Sequence, residues 1–295
     1  MRVVISGASG LIGTALATSL RADGHTVVSL VRREARGSNE SAWDPPQGII
    51  DSAAIAAADV VVNLSGASIG DKRLTESYQK VVLSSRLDST TTIAKAIAAA
   101  NPSAVLLQGS SMGFYGDRGV DPLTERTPPG NGFLAEVSRK WESAAEPAVA
   151  SGARVVYLRT GLVLAPRGGF AKRLLPLAKR GLIGSLGNPR SLQSWISLVD
   201  HVRAMRFLID GDHEGPANVV GPRAVSSKDL IGAITGAYGH RPGLPIPSWV
   251  LQAAIGPAAD DLLASQNGVP GVLTRLGFTW QHSTIGEAAE YVAGR

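Results

Sequence analysis

Three glycines near the start of the chain carry its plainest chemistry. Val3 to Gly13 reads Val-Val-Ile-Ser-Gly-Ala-Ser-Gly-Leu-Ile-Gly, an apolar strand running into Gly7, Gly10 and Gly13 and then into a helical pattern. In that context Gly7 permits a tight turn, Gly10 lets the backbone approach a pyrophosphate, and Gly13 lets the helix press on the sheet with its N-terminus aimed at the phosphates. Ser9, Leu11 and Ile12 complete that phosphate-binding backbone. In a nicotinamide site an acidic residue about 20 positions further on holds the ribose 2′-hydroxyl. Here the second strand ends Leu30-Val31-Arg32-Arg33. Val31 stands where the acid would, and the two guanidiniums that follow it suit a 2′-phosphate, which points to NADP rather than NAD. The plainer alternative is a solvated strand end, with Glu34 neutralising one arginine. The small-residue turn Asn63-Leu64-Ser65-Gly66-Ala67 offers backbone at Leu64, Ser65 and Gly66 for the adenosine side of the cofactor, and equally fits an ordinary strand-to-loop turn.

The reacting end of such a site needs a hydroxyl beside the nicotinamide and a group that exchanges a proton. Leu107-Gln108-Gly109-Ser110-Ser111-Met112-Gly113-Phe114-Tyr115-Gly116 resembles the Ser-Ser-x-x-Val-Tyr-Gly segment of extended short-chain dehydrogenases. Ser111, five residues before Gly116, takes the catalytic serine's place with Ser110 beside it; both could instead satisfy backbone groups at a turn. In those enzymes a Tyr-x-x-x-Lys pair follows on the next helix, the lysine lowering the tyrosine pKa. The helix here, Phe133-Leu134-Ala135-Glu136-Val137-Ser138-Arg139-Lys140-Trp141-Glu142, has no tyrosine. With Glu142 aligned to the glutamate that commonly follows the motif, Leu134 stands in the Tyr place and Ser138 in the Lys place. Lys140, Glu136 and Tyr115 remain as proton-transfer candidates, but Lys140 lies about 200° around the helix from the motif position. Arg159 could bind a substrate anion or form a structural ion pair. Trp195 and Asp200 read as docking residues.

The Gly-x-x-Gly-x-x-Gly spacing is similar to that of extended short-chain dehydrogenases and nucleotide-sugar epimerases. With the Lys-Trp-Glu helix, the Ser85-Arg86 pair, Arg159-Thr160-Gly161-Leu162-Val163-Leu164 and Gln193-Ser194-Trp195-Ile196-Ser197-Leu198-Val199-Asp200, the whole chain resembles the atypical epimerase-family branch, subfamily 39U. Its tail, from Pro245 to Leu276-Gly277-Phe278, resembles the small C-terminal domain of unknown function in that branch. The resemblance implies an extended NADP-binding fold acting on a small hydroxylated or carbonyl compound, sugar-nucleotide-like molecules among them. A binding protein that keeps the cofactor and has lost turnover is the alternative.

These residues need a parallel sheet to position them. Strands are expected at Arg2 to Ser6, Thr26 to Val31, Val60 to Leu64, Ala104 to Gly109 and Arg154 to Leu158, each a short β-branched run of the kind buried on both faces. Helices are expected at Leu11 to Ala22, Leu74 to Ala100 and Phe133 to Ala150, and the Ala-rich Ala53 to Ala58 reads as helix. Alternation of the two gives an α/β doubly wound (Rossmann) sheet over residues 1–164. Glycines and prolines from Pro166 to Pro189 then break the rhythm, so residues 165–295 form a smaller substrate lobe. Within it lie a helix from Leu198 to Ile209, a strand from Ala217 to Val220, a helix from Ser226 to Tyr238 and a helical tail from about 242.

The 295 residues suffice for one large α/β domain with a lobe. No cysteine is present, which excludes disulfides and thiolate catalysis and, with no signal-like or membrane-spanning run, leads to the expectation of a soluble cytoplasmic protein. The net charge of +5 is scattered rather than gathered in an aromatic-interleaved stripe, against a nucleic-acid partner. None of the five histidines has a partner at ligand spacing, so no metal is assigned.

Overall fold

The structure, a computed structural model, describes residues 1–69, 72–168, 171–256 and 263–295, with backbone alone for 171–174 and 254–255. Its main sheet has eight strands: β1 (Arg2–Ser6), β2 (Thr26–Val31), β3 (Glu40–Asp44), β4 (Ile49–Ile50), β5 (Val60–Asn63), β6 (Val105–Ser111), β8 (Val155–Thr160) and β13 (Gly215–Val219). Their order is β13-β8-β6-β5-β1-β2-β3-β4. All pairs are parallel except the edge pair β3 and β4. From β1 the chain winds one way through β2 and β3, and from β5 the other way through β6 and β8. The crevice at that reversal is where such sheets bind ligands.

The β-branched runs form strands because both faces are covered. Val3 and Ile5 of β1 enter one core with Leu16 and Leu20 of α1 (Leu11–Ala22) and Met205 and Leu208 of α7 (Leu198–Asp210). Val4 points the other way, towards Ile55 of α2 (Ser52–Ala56), Ile93 and Ile97 of α3 (Glu76–Ala100) and Ala148 of α5 (Glu146–Ala150). Period-two alternation thus sends neighbouring side chains into opposite cores.

Several boundaries differ from the sequence reading. β6 runs on to Ser111 and β8 to Thr160, which places Ser110, Ser111 and Arg159 on strands rather than in loops. The strand expected to Leu64 stops at Asn63, and α3 starts at Glu76 because Thr75 caps it, accepting from Tyr78 N–H. The helix expected from Phe133 to Ala150 is two: α4 (Phe133–Ser143) and α5, with Pro147 in the first turn of α5 where its missing N–H breaks the ladder. β3 and β4 lie in the polar stretch after Arg33, where no strand is expected from sequence.

The change of rhythm at 165 is not a break in the sheet. After α6 (Ala171–Ala178), α7 packs against α1 and β13 pairs with β8, so residues 198–219 complete the main sheet. Outside the main sheet the described chain forms short pairs: β9 (Leu162–Leu164) with β12 (Trp195–Ser197), β10 (Ile183–Leu186) with β15 (Leu244–Ile246), and β11 (Leu192–Gln193) with β14 (Val225–Ser226). A further pair, β7 (Pro122–Leu123) with β16 (Asn267–Gly268), ties the tail to the sheet domain. α8 (Ser227–Ala237) and α11 (Ile285–Ala293) share a third core with Trp195. Between them lie α9 (Ser248–Ile255) and α10 (Gly271–Arg275). Asp200, fully buried, accepts the backbone N–H groups of Gln281 and His282 and so docks the tail. Among the described residues no helix is long and apolar enough to cross a membrane.

His201, beside Asp200, is wholly buried, with Nε2 3.0 Å from Thr160 Oγ1 and Nδ1 without a partner among the described residues. Thr160 gives its proton to the Leu158 carbonyl, so Nε2–H donates to Thr160 Oγ1. Burial pushes the imidazole pKa down to about 4. The unfolded chain then binds a proton below the ordinary value near 6.5 that the folded state refuses. Stability is expected to fall as pH drops from about 6.5 to 4, by roughly 3 kcal/mol from this group. Denaturant titrations across that range should show the slope in the native protein and lose it in His201→Gln.

Candidate functional site

The glycine turn is built at the crevice. Gly7 has φ +72°, and a Cβ there would stand 2.8 Å from the Leu64 carbonyl, so glycine is required both by conformation and by the close approach of the two turns. A Cβ at Gly13 would meet the Gly7 carbonyl oxygen at 2.3 Å, which is how closely α1 presses on the turn. Gly10 differs: among the described residues a Cβ meets only the Gly7 oxygen, at 3.2 Å. Gly10 is the N-cap of α1 and supplies no side-chain cap, leaving the amides at Leu11, Ile12 and Gly13 for an anion. Ser9 and Gly10 are exposed at the rim.

At the end of β2 the two arginines part. Arg33 forms a bidentate pair with Glu40 at 2.6 and 2.7 Å and also donates to the Glu34 carbonyl. That hydrogen bond, with the Arg36 N–H, holds the Glu40 carboxyl down at about 2. Arg32 is exposed, with no hydrogen bond or ion pair among the described residues. The neutralising acid comes from β3, not from Glu34.

The turn after β5 rests on a buried polar network. Asn63 accepts from Ser6 Oγ at 2.6 Å and donates to Thr90 Oγ1 and Gln108 Oε1, fixing the ends of β1, β5 and β6 together. Leu64 and Ser65 are half-buried and Gly66 exposed. Beneath Gly66 lies Arg86 of α3, whose Cζ would be 2.9 Å from a Gly66 Cβ. Its Nη1 donates to the Ala67 and Val82 carbonyls, and its plane covers the Trp141 ring at 4.8 Å. Arg86 is 8% exposed and has no carboxylate partner among the described residues; burial lowers its pKa to about 10. Ser85 Oγ accepts the Ala67 N–H. The sequence held this signal: Arg86 follows Val82 by four and precedes Ile93 by seven, so it sits on the buried stripe of α3. A charged side chain on such a stripe needs a reason.

At the reacting edge, Ser111 Oγ accepts the Gly113 N–H at 2.9 Å and caps the short 3₁₀ turn Met112–Tyr115. Its own O–H has no acceptor among the described residues. Ser110 donates to Glu142 at 2.6 Å. The proton-transfer candidates are otherwise occupied. Tyr115 is fully buried, donating to Asn218 and accepting from Arg159, and burial raises its pKa. Lys140 pairs with Glu136 on the half-exposed face of α4. Arg159 is a structural cation: it grips both oxygens of Glu142 at 2.9 Å and lies 3.5 Å over the Phe114 ring. Leu134 and Ser138 are both buried, Leu134 with its Cβ 3.1 Å from where a Gly113 Cβ would be. Among the described residues no group of three His, Asp or Glu is placed to hold a metal.

Comparison with known proteins adds kinship to this geometry. A family model described as the NAD dependent epimerase/dehydratase family matches residues 3–221, and one described as a domain of unknown function (DUF1731) matches residues 246–292. The chain is 41% identical to epimerase family protein Mb2239 of Mycobacterium bovis, covering 99% of this chain and 98% of the relative. It is 30% identical to the human epimerase family protein SDR39U1, covering 99% of each. The crystal structure of human SDR39U1 (isoform 2) with NADPH matches over the full length of both chains at TM-score 0.91. A nucleoside-diphosphate sugar epimerase from Corynebacterium glutamicum matches at TM-score 0.82 and 33% identity, over all of this chain and 58% of that one.

Proposed function

The chain belongs to the NAD dependent epimerase/dehydratase family, in the branch of the SDR39U1 epimerase family proteins, and from that premise we propose that it binds NADP(H) and uses it on a small hydroxylated or carbonyl substrate. The observation that carries the choice of cofactor is Arg32: a guanidinium free of protein partners among the described residues follows Val31, the last residue of β2, which holds the place of the acid that would select NAD. The human relative solved with NADPH supports the same reading. The diphosphate would lie on Gly7, Ser9, Gly10, Leu11, Ile12 and Gly13 at the N-terminus of α1. Leu64, Ser65 and Gly66 would border the adenosine, with Arg86 beneath Gly66.

When bound, the cofactor supplies or accepts the hydride. Ser111 would hold the substrate oxygen by its free O–H, positioned by the strand end and the Gly113 N–H, and Ser110 would be fixed by Glu142. With Leu134 and Ser138 in the Tyr and Lys places, water or a substrate group would exchange the proton. The test is turnover: NADPH oxidation followed by nicotinamide absorbance across a library of carbonyl compounds, in native protein and Ser111→Ala. We expect turnover that falls about 100-fold or more in Ser111→Ala, the scale of one transition-state hydrogen bond, with cofactor affinity unchanged. Binding of NADPH with no turnover on any compound would favour the binding-protein reading.

Arg32→Ala is expected to weaken NADPH by about ten- to a hundredfold, the loss of one charge-assisted hydrogen bond, and to leave NADH unchanged. Arg33→Ala should act less, because Glu40 already holds that side chain. Calorimetric titration with both nucleotides decides; equal losses for the two would remove the 2′-phosphate from Arg32.

A further inference from the structure

Three large apolar side chains stand in solvent along one short ribbon of the lobe. β10 and β15 run parallel, and at their start the backbones press together: a Cβ at Gly243 would lie 2.6 Å from the Leu182 carbonyl carbon. Leu182 is 56% exposed and Leu244 80%. The chain continues Leu244-Pro245-Ile246-Pro247-Ser248-Trp249 into α9, and Ser248 Oγ lies 3.2 Å from where a Gly187 Cβ would stand, at the other end of the ribbon. Trp249 is 70% exposed, whereas Trp43, Trp141 and Trp195 are buried. Single exposed apolar residues are ordinary; three along one ribbon mark a contact surface.

The surroundings say what it contacts. Lys179, Arg180 and Arg241 are exposed beside the ribbon, and a Cβ at Gly181 would lie 3.1 Å from His240 Cβ and 3.2 Å from the Arg241 carbonyl oxygen. Arg180 and Arg241 form no ion pair among the described residues. Residues 147–199 and 230–259 contain no Asp or Glu. Charge that is scattered along the sequence is gathered by the fold, because β10 and β15 bring these two acid-free stretches together. A partner strand does not fit here: Pro245 and Pro247 lack the N–H groups that strand addition to β15 needs. Apolar side chains flanked by unpaired cations match an anionic lipid surface, where tryptophan and leucine enter the interface and the cations meet headgroup phosphates.

We propose that this part of the lobe docks on an anionic membrane surface, with Leu244 and Trp249 seated in the headgroup layer and Arg180 and Arg241 on lipid phosphates. The test is flotation at low salt with vesicles of phosphatidylglycerol mixed with phosphatidylcholine, and with vesicles of phosphatidylcholine alone. The native protein is expected to float with the mixed vesicles, its tryptophan emission shifted to the blue, and to bind the neutral ones at least tenfold more weakly. Leu244→Ser with Trp249→Ser, and separately Arg180→Gln with Arg241→Gln, should each weaken binding to the mixed vesicles at least tenfold. Thermal melts of both variants should stay native, since all four side chains are exposed. No binding of the native protein to the mixed vesicles overturns the proposal, as does equal binding to the neutral ones or by either variant. Light scattering supplies the rival outcome: a native dimer that Leu244→Ser with Trp249→Ser converts to monomer gives the surface to a second copy and overturns the membrane assignment.

Discussion

Gly10→Val is expected to abolish NADPH binding in a protein that still folds. Among the described residues the added Cβ approaches only the Gly7 oxygen, at 3.2 Å, a contact relieved by a shift of a few tenths of an ångström, and the rest of the side chain enters the space where the diphosphate would lie. The backbone at Gly10, φ −76° and ψ 172°, is extended and open to any residue. Gly13→Ala is the opposite case. Its Cβ would sit 2.3 Å from the Gly7 oxygen and 2.8 Å from Ala8 Cα, both backbone, so α1 must move off the sheet. Overpacking of that kind costs about 1–3 kcal/mol or more, and binding falls with it because the helix N-terminus shifts. Thermal melts and calorimetry on the two variants separate the roles: near-native melting without binding at Gly10, lowered melting with weakened binding at Gly13. Undiminished NADPH binding by Gly10→Val would place the diphosphate elsewhere.

The contrast explains what the sequence could tell. Glycine spacing is legible because each of Gly7, Gly10 and Gly13 answers a local demand of turn, ligand approach or helix contact, and the strand before and helix after supply the context. The main strands were legible for a similar reason, since runs such as Val3-Val4-Ile5 and Val60-Val61-Val62 bury neighbouring residues in opposite cores. Partnerships across the fold were not. Glu40 reaches Arg33 because β3 pairs with β2, and nothing in the polar stretch between them announces that strand. Tyr115 looked available for proton transfer because sequence cannot show Asn218, more than a hundred residues later, closing over its hydroxyl. The return of β13 to the main sheet was hidden in the same way, since a strand read correctly in isolation carries no label for the sheet it joins.

Arg159 shows how much such a partnership weighs, and Glu142→Gln is expected to be among the most destabilising single changes near the site. The guanidinium is 5% exposed and the carboxylate 12%, and Glu142 supplies the only carboxylate of its ion pair among the described residues. The remaining contacts of Arg159, the Tyr115 hydroxyl, the Glu125 carbonyl and the Phe114 ring, are neutral. The amide of that variant would keep the shape and one acceptor but leave a buried cation without its counter-charge, a change worth about 3–5 kcal/mol. For a chain of this size that is a melting point lower by roughly 5–8 °C. Glu136→Gln, which breaks the exposed pair with Lys140 on the same helix, should leave the melt unchanged. Arg159→Met in the Glu142→Gln background should recover part of the loss, because the penalty belongs to the stranded charge rather than to the missing contact. If the single variant melts like the native protein, the pair contributes little to the fold and Arg159 is free to serve a substrate anion, the role that its place on β8 first suggested.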